Sequence, residues 1–201
     1  MIAVLDYGIG NLRSAQKALE HVGADARLTA DVDEVAVADG VVLPGVGSFG
    51  PCLRALRDTD LEGPARDAIE AGTPFLGICI GMQMLYDGSD EDPTTPGMGV
   101  LEGRVCRLPE GVKRPQMQWN RLDCGESPMF AGLDDPKWVY FVHSYAPEPG
   151  PDVVATCDYG GPVVAAVARG TLWATQFHPE KSSATGLRLL SNFVAATSGA
   201  G

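Results

Sequence analysis

Thr73-Pro74-Phe75-Leu76-Gly77-Ile78-Cys79-Ile80-Gly81-Met82-Gln83 is the stretch on which the reading of this chain turns. An apolar run of strand length ends in Gly-x-Cys-x-Gly and then takes up helical spacing through Met82, Leu85 and Tyr86. A strand-to-helix turn of this kind holds its central residue in a strained backbone conformation, and the flanking glycines remove side chains that would clash there. It lifts the sulfur clear of the sheet and aims the next backbone N–H at whatever the sulfur attacks. The plain alternative is a buried cysteine that packs as a small hydrophobe. Gln83 follows Cys79 by four residues, so a shared helix face brings its amide toward the space before the sulfur; the other reading is a solvated polar side chain.

Upstream, Ile2-Ala3-Val4-Leu5 and Val41-Val42-Leu43 are compact apolar runs, as expected of strands buried on both faces, and Ala26 to Leu28 is a further strand candidate. The first runs into Asp6-Tyr7-Gly8-Ile9-Gly10-Asn11, where Asn11 is placed to cap a helix carrying Leu12, Ala15, Leu19 and Val22 and closed by Gly23. The second runs into Pro44-Gly45-Val46-Gly47-Ser48-Phe49, at the strand end where open α/β sheets place ligands. Glycines there let backbone N–H groups approach a substrate, which suits an oxyanion-holding segment; an ordinary turn is the alternative. The G-x-G-x-x-G spacing of a dinucleotide loop is not met.

Leu53 to Ala71 reads as one or two helices, and acidic, proline-containing Gly88 to Pro96 as a surface loop. Short strand-like runs then follow at Arg104 to Leu108, Lys137 to Val142, Val153 to Cys157, Val163 to Ala168 and Leu172 to Gln176. Leu187, Leu190 and Val194 mark a closing helix, and Ser198 to Gly201 reads as a frayed tail. The expected fold class is α/β: an open mixed, mainly parallel sheet flanked by helices, with antiparallel additions in the second half, residues 1–201 forming one domain.

Composition narrows the function. A formal net charge of -11 without an offsetting Lys/Arg cluster argues against a nucleic-acid partner. No apolar run reaches the roughly 18 residues of a membrane span, and Met1 to Asp6 lacks the basic region and cleavage site of a signal peptide. Five cysteines without C-x-x-C spacing speak against a disulfide framework or zinc site and for a reducing cytoplasm. Cys52, Cys106, Cys124 and Cys157 read as inert core residues.

His178 and Glu180 stand two residues apart across Pro179, and the chain has only 3 His. In an extended segment both side chains point to one side, so the carboxylate can fix the imidazole's tautomer and support its positive charge. An imidazole beside Cys79 is what turns a thiol into a nucleophile. On spacing alone the chain is a cysteine hydrolase or transferase.

Gly77-Ile78-Cys79-Ile80-Gly81-Met82-Gln83 with Gln176-Phe177-His178-Pro179-Glu180-Lys181-Ser182 resembles the class I, triad-type glutamine amidotransferases. Within that family the likeness is greatest to the glutaminase subunits of imidazole glycerol phosphate synthases. Leu5 to Ser14, Leu43 to Phe49, Met117-Gln118-Trp119-Asn120 and Phe141-Val142-His143-Ser144-Tyr145 carry it over nearly the whole chain. The resemblance implies a Cys79, His178, Glu180 triad that hydrolyses glutamine through a thioester. It implies backbone donors at Val46 and Ile80 for the oxyanion, and a glutamine seat at Gly47, Gln83, Ser144 and Tyr145. His143 is expected as a structural or pocket-wall residue. Ammonia would pass to a cyclase (β/α)8-barrel subunit, in a heterodimer, that converts PRFAR to imidazole glycerol phosphate and AICAR in histidine biosynthesis. That partner would gate the glutaminase through rearrangement of Pro44 to Gly47. Asn11, Trp119, Asn120 and Lys181 match partner-facing positions, and neither cofactor nor metal is implied. Where the family commonly has Pro-His-Met-Gly-Trp-Asn, this chain has Pro115-Gln116-Met117-Gln118-Trp119-Asn120. The glutaminases of pyridoxal phosphate synthase or anthranilate synthase, a stand-alone cysteine hydrolase, and a non-catalytic binding module on the same fold remain the other readings.

Overall fold

The apolar runs become the central strands. In the computed structural model, which describes residues 1–199, β1 (Ile2–Leu5) is followed by α1 (Leu12–His21), β2 (Ala26–Thr29), α2 (Val32–Ala36) and β3 (Gly40–Gly45). Two helices, α3 (Phe49–Asp58) and α4 (Glu62–Glu70), lead to β4 (Phe75–Cys79) and the short α5 (Ile80–Met84). The second half holds β5 (Gly88–Ser89), β6 (Asp92–Pro96), β7 (Arg104–Arg107), β8 (Gln116–Arg121), β9 (Asp123–Cys124), β10 (Trp138–His143) and β11 (Tyr145–Pro147). It closes with β12 (Val153–Asp158), β13 (Pro162–Arg169), β14 (Leu172–Thr175) and α6 (Ser183–Ser198).

Eight strands form one sheet in the order β2-β1-β3-β4-β14-β13-β12-β9. The first five are mutually parallel and the last three are antiparallel additions. Every residue of β1, β3, β4 and β14 is buried, which is why these segments carry no polar alternation. Val41, Val42, Leu43, Phe75 and Leu76 are fully withdrawn from water, and each such apolar side chain contributes about 1.5–3 kcal/mol. The chain runs outward from β1 to β2 and then returns to β3, so the direction of winding reverses between β1 and β3. Right-handed crossovers on either side of that reversal put their helices on opposite faces and leave a crevice at the strands' C-terminal ends.

Several expectations change. Gly88 to Pro96 is a hairpin, β5 with β6, within a small sheet ordered β11-β7-β5-β6. Asp and Pro are poor strand formers, but the Asp92 carboxylate accepts from the hydroxyls of Thr94 (2.7 Å) and Thr95 (2.9 Å) and from Arg54 (3.1 Å). Those donors hold its carboxyl down at about 2. Met117 to Asn120, which none of the strand-like runs covered, lies in β8, a strand paired antiparallel with β10 (Trp119 opposite Tyr140). Asn11 takes the N-cap position of α1 without capping a backbone N–H; its Oδ1 accepts from the Ser14 hydroxyl at 2.8 Å. Ser198 ends α6 instead of opening a frayed tail, and Ala200 and Gly201 fall outside the described residues. Cys52 and Cys157 are core residues, whereas Cys106 and Cys124 are only half-buried. Among the described residues no helix is long and apolar enough to cross a membrane.

Candidate active site

Cys79 sits at the tip of β4 with φ 55 and ψ -109, a backbone conformation that L-residues rarely adopt. Packing forces the turn. A Cβ on Gly81 would lie 1.8 Å from the Leu43 carbonyl oxygen, and one on Gly77 would lie 3.1 Å from the Gly81 backbone. Strand β3 and helix α5 therefore approach so closely that only glycine fits between them. A Gly81→Ala variant is expected to lose about 1–3 kcal/mol or more, because the Leu43 carbonyl it would meet is backbone and cannot rotate away. Urea unfolding measures this; an unchanged midpoint would show that the elbow does not depend on the approach.

The parallel register places Gly45 beside Cys79, so the segment after β3 runs directly in front of the sulfur. Gly47 adopts φ 98, which lets the chain turn there, and the Val46 carbonyl accepts from the Cys52 thiol at 3.3 Å. Tyr7, after β1, donates to the Pro44 carbonyl at 2.6 Å. From β14 the chain delivers His178. Its backbone N–H donates to the Tyr140 carbonyl (3.0 Å) and its carbonyl accepts from the Ser182 hydroxyl (2.6 Å). The Pro179–Lys181 segment is a 3-10 turn rather than an extended one, yet His178 Nδ1 still reaches Glu180 Oε1 at 2.8 Å. Both side chains are almost wholly buried. Burial alone would lower the imidazole, but contacts with Cys79 and Glu180 outweigh it and raise His178 to about 9. Nε2 is buried without a formed hydrogen bond of its own, and the Cys79 sulfur is among the groups that act on the ring.

A cavity of about 450 Å³ opens over this pair. Its walls include Cys79, Ile80, Gln83, Val46, Gly47, His178, Ser144, Tyr145, Asn11 and Lys181, so ten of the residues singled out from sequence converge there. Glu180 stands behind His178. Trp119 and Asn120 lie apart on β8, with Trp119 45% exposed and the Asn120 amide donating to the Asp158 carbonyl at 2.9 Å. A larger cleft of about 610 Å³, walled by Met1, Ile2, Thr73 and Pro74, has neither a cysteine nor a histidine in its lining and sits at the other end of the strands.

The description "Glutamine amidotransferase class-I" matches residues 3–197. The chain belongs to the class I glutamine amidotransferases. It is 50% identical over 200 residues to the imidazole glycerol phosphate synthase subunit HisH of Rhodopirellula baltica, covering 98% of each chain. To the protein of the same name from Geobacillus kaustophilus it is 47% identical over 210 residues, covering 100% of this chain and 99% of that one. Among solved structures, a glutamine amidotransferase superposes with TM-score 0.75 at 24% identity, covering 98% of both chains. PurLQS from Thermotoga maritima superposes with TM-score 0.74 at 20% identity, over 98% of this chain and 96% of that one. These two likenesses show the fold.

Three residues in or around this cavity carry no signal in the sequence. Glu91, within the acidic stretch, lines the cavity while its Oε2 accepts from the Phe49 backbone N–H at 2.8 Å. Gln176 lies buried beneath the sulfur. Gln116, one of the departures from the family pattern, is fully buried against His143 and Cys157 rather than standing on the β8 surface. Only Gln118, exposed beside Trp119, alters that surface. His143 lines the cavity, and burial pushes it down to about 4, so it is a neutral ring donating from Nδ1 to the Tyr145 carbonyl at 2.9 Å.

Proposed function

We propose that this chain is the glutaminase subunit of an imidazole glycerol phosphate synthase, with residues 1–201 acting as one amidotransferase domain in the cytoplasm. The observation that carries the chemistry is the convergence of Cys79 and His178 on one cavity, with Glu180 held to His178 Nδ1 behind it; the identity to subunits of that name carries the pathway. Cys79 attacks the side-chain amide carbon of glutamine. The C–N bond breaks as His178 passes a proton to the departing ammonia, leaving a glutamyl thioester on the sulfur. A water activated by His178 then attacks the thioester and releases glutamate. Backbone N–H groups of Ile80 and Val46 hold the oxyanion, each worth on the order of 3 kcal/mol in the transition state. Gly47, Gln83, Ser144 and Tyr145 seat the substrate, and the Glu91 carboxylate gives its α-ammonium a partner.

Ammonia then passes to a cyclase (β/α)8-barrel subunit that converts PRFAR to imidazole glycerol phosphate and AICAR. Asn11 and Lys181 at the cavity mouth, with Trp119 and Asn120 on β8, face that subunit. Glutamate release by the chain alone, then with the cyclase subunit and PRFAR, tests the assignment. Stimulation on the order of 100-fold is expected, the upper range of coupling between two sites. A full rate without the partner would leave a stand-alone hydrolase.

A further inference from the structure

The amide of Gln176 is part of a chain of hydrogen bonds whose polarity is fixed from one end. Gln83 Nε2 donates to the Tyr145 backbone carbonyl at 2.9 Å, and a carbonyl can only accept. That contact sets which way the Gln83 amide faces. The same Nε2 donates at 2.9 Å to Gln176 Oε1, so Gln176 must present oxygen to Gln83 and its NH2 group to the other side. On that side stands Cys79, with Sγ 3.7 Å from Gln176 Nε2. Gln176 is fully buried and Gln83 is 1% exposed, so water cannot substitute for either amide. Turning either amide over would oppose two donors or two acceptors in the core, at the cost of an unsatisfied buried group. The remaining atom of the chain, Gln83 Oε1, is buried without a partner, and Gln83 lines the cavity.

We propose that Gln176 is a catalytic residue, its amide N–H group donating to the Cys79 sulfur and stabilising it as a thiolate. The inference rests on the reading of Cys79 as the nucleophile. A donor to sulfur favours the ionised form over the neutral one, as a hydrogen bond to any anion does. Because Tyr145 sets the polarity, the strand turn that helps seat glutamine also determines that a donor faces the sulfur. It follows too that Gln83 offers substrate an acceptor, suited to an N–H of the bound amino acid.

The other titratable groups around the sulfur and its cavity are His178 with Glu180 behind it, Tyr7, Cys52, His143, Tyr145, Glu91 and Lys181. Burial, the largest influence on Tyr7 and Cys52, raises both, Cys52 to about 11, so neither changes charge between pH 6 and 9. The test is the pH dependence of Cys79 alkylation by iodoacetamide, followed on the Cys79 peptide by mass spectrometry in the full chain. Gln176→Met keeps side-chain length and removes the donor. Its alkylation midpoint is expected to move upward by at least about one pH unit, a tenfold loss of thiolate on the acid side. Gln83→Met removes the donor that holds Gln176 Oε1 and so frees the Gln176 amide to turn, so its midpoint should rise by less than that of Gln176→Met, with a further effect on KM. If Gln176→Met does not fold, Gln176→Glu keeps an oxygen for the Gln83 N–H and should move the midpoint the same way. An unchanged midpoint in the folded variant overturns the role of Gln176. Glutaminase activity that survives complete Cys79 alkylation overturns the nucleophile instead.

Discussion

Cys79→Ala should abolish glutamate release, with an expected loss of at least about 10,000-fold in kcat when assayed with the cyclase partner, while leaving the fold intact. The magnitude follows from how a nucleophile and its base act as a unit: removing either forfeits nearly the whole contribution of the set. What remains is the oxyanion site and the cavity, with nothing to form the thioester. The fold should survive because alanine fills most of the volume of a residue that is 3% exposed and leaves the Gly77 and Gly81 contacts untouched. Stability offers a sharper discrimination. At φ 55 a non-glycine residue is strained, at a cost of order 1–3 kcal/mol. Alanine inherits that strain, whereas Cys79→Gly relieves it. The glycine variant should therefore unfold at an equal or higher urea concentration than the alanine variant, although both are inactive. Such a result marks strain maintained for chemistry rather than for folding. Retention of more than about one per cent of activity by either variant would remove Cys79 from the mechanism.

What the sequence made legible, and what it hid, follows from the kind of force that fixes each part. Buried parallel strands announce themselves because burial on both faces demands uninterrupted apolar residues, as in Val41 to Leu43. The elbow is legible because two glycines are required by backbone contacts that no other residue tolerates. Strand β8 is hidden because Met117, Gln118 and Trp119 are all exposed and show no period-2 alternation. The β5–β6 hairpin is hidden because its stability comes from a side-chain network around Asp92 formed with Arg54, far away in sequence. His178 and Glu180 were paired for a reason that the structure replaces. The contact arises from a 3-10 turn begun by Pro179, and not from side chains sharing one side of an extended strand. Glu91 and Gln176 carry no spacing signal. Their positions follow from where the β5–β6 turn, tied to the start of α3, and the end of β14 bring them, which is tertiary information.

Glu180→Gln carries the second large expected effect, and its sign can be worked out in full. The carboxylate accepts from His178 Nδ1, fixing the tautomer with Nε2 toward the sulfur and supporting the ring's positive charge. An amide of the same shape can turn its NH2 group to the ring, which stabilises the wrong tautomer, and it carries no charge. The expected loss in kcat is about 1,000- to 10,000-fold, comparable to removing the orienting acid of a serine triad. His178 also stands at about 9, above the ordinary value of 6.5. A histidine raised on folding contributes stability that is fully present below the unfolded value and is lost as pH rises through the folded one. Wild-type stability should therefore decline between about pH 6.5 and 9, and the alkaline limb of glutaminase activity should lie near 9, where the proton donor to ammonia is lost. In Glu180→Gln the alkaline limb of the residual activity should move to lower pH, and the stability decline should still begin near 6.5 but end at lower pH and be smaller. A residue that merely packed beneath His178 would change the rate without moving either curve. Thermal unfolding across that pH range, beside kcat/KM measured with the cyclase partner, separates the two.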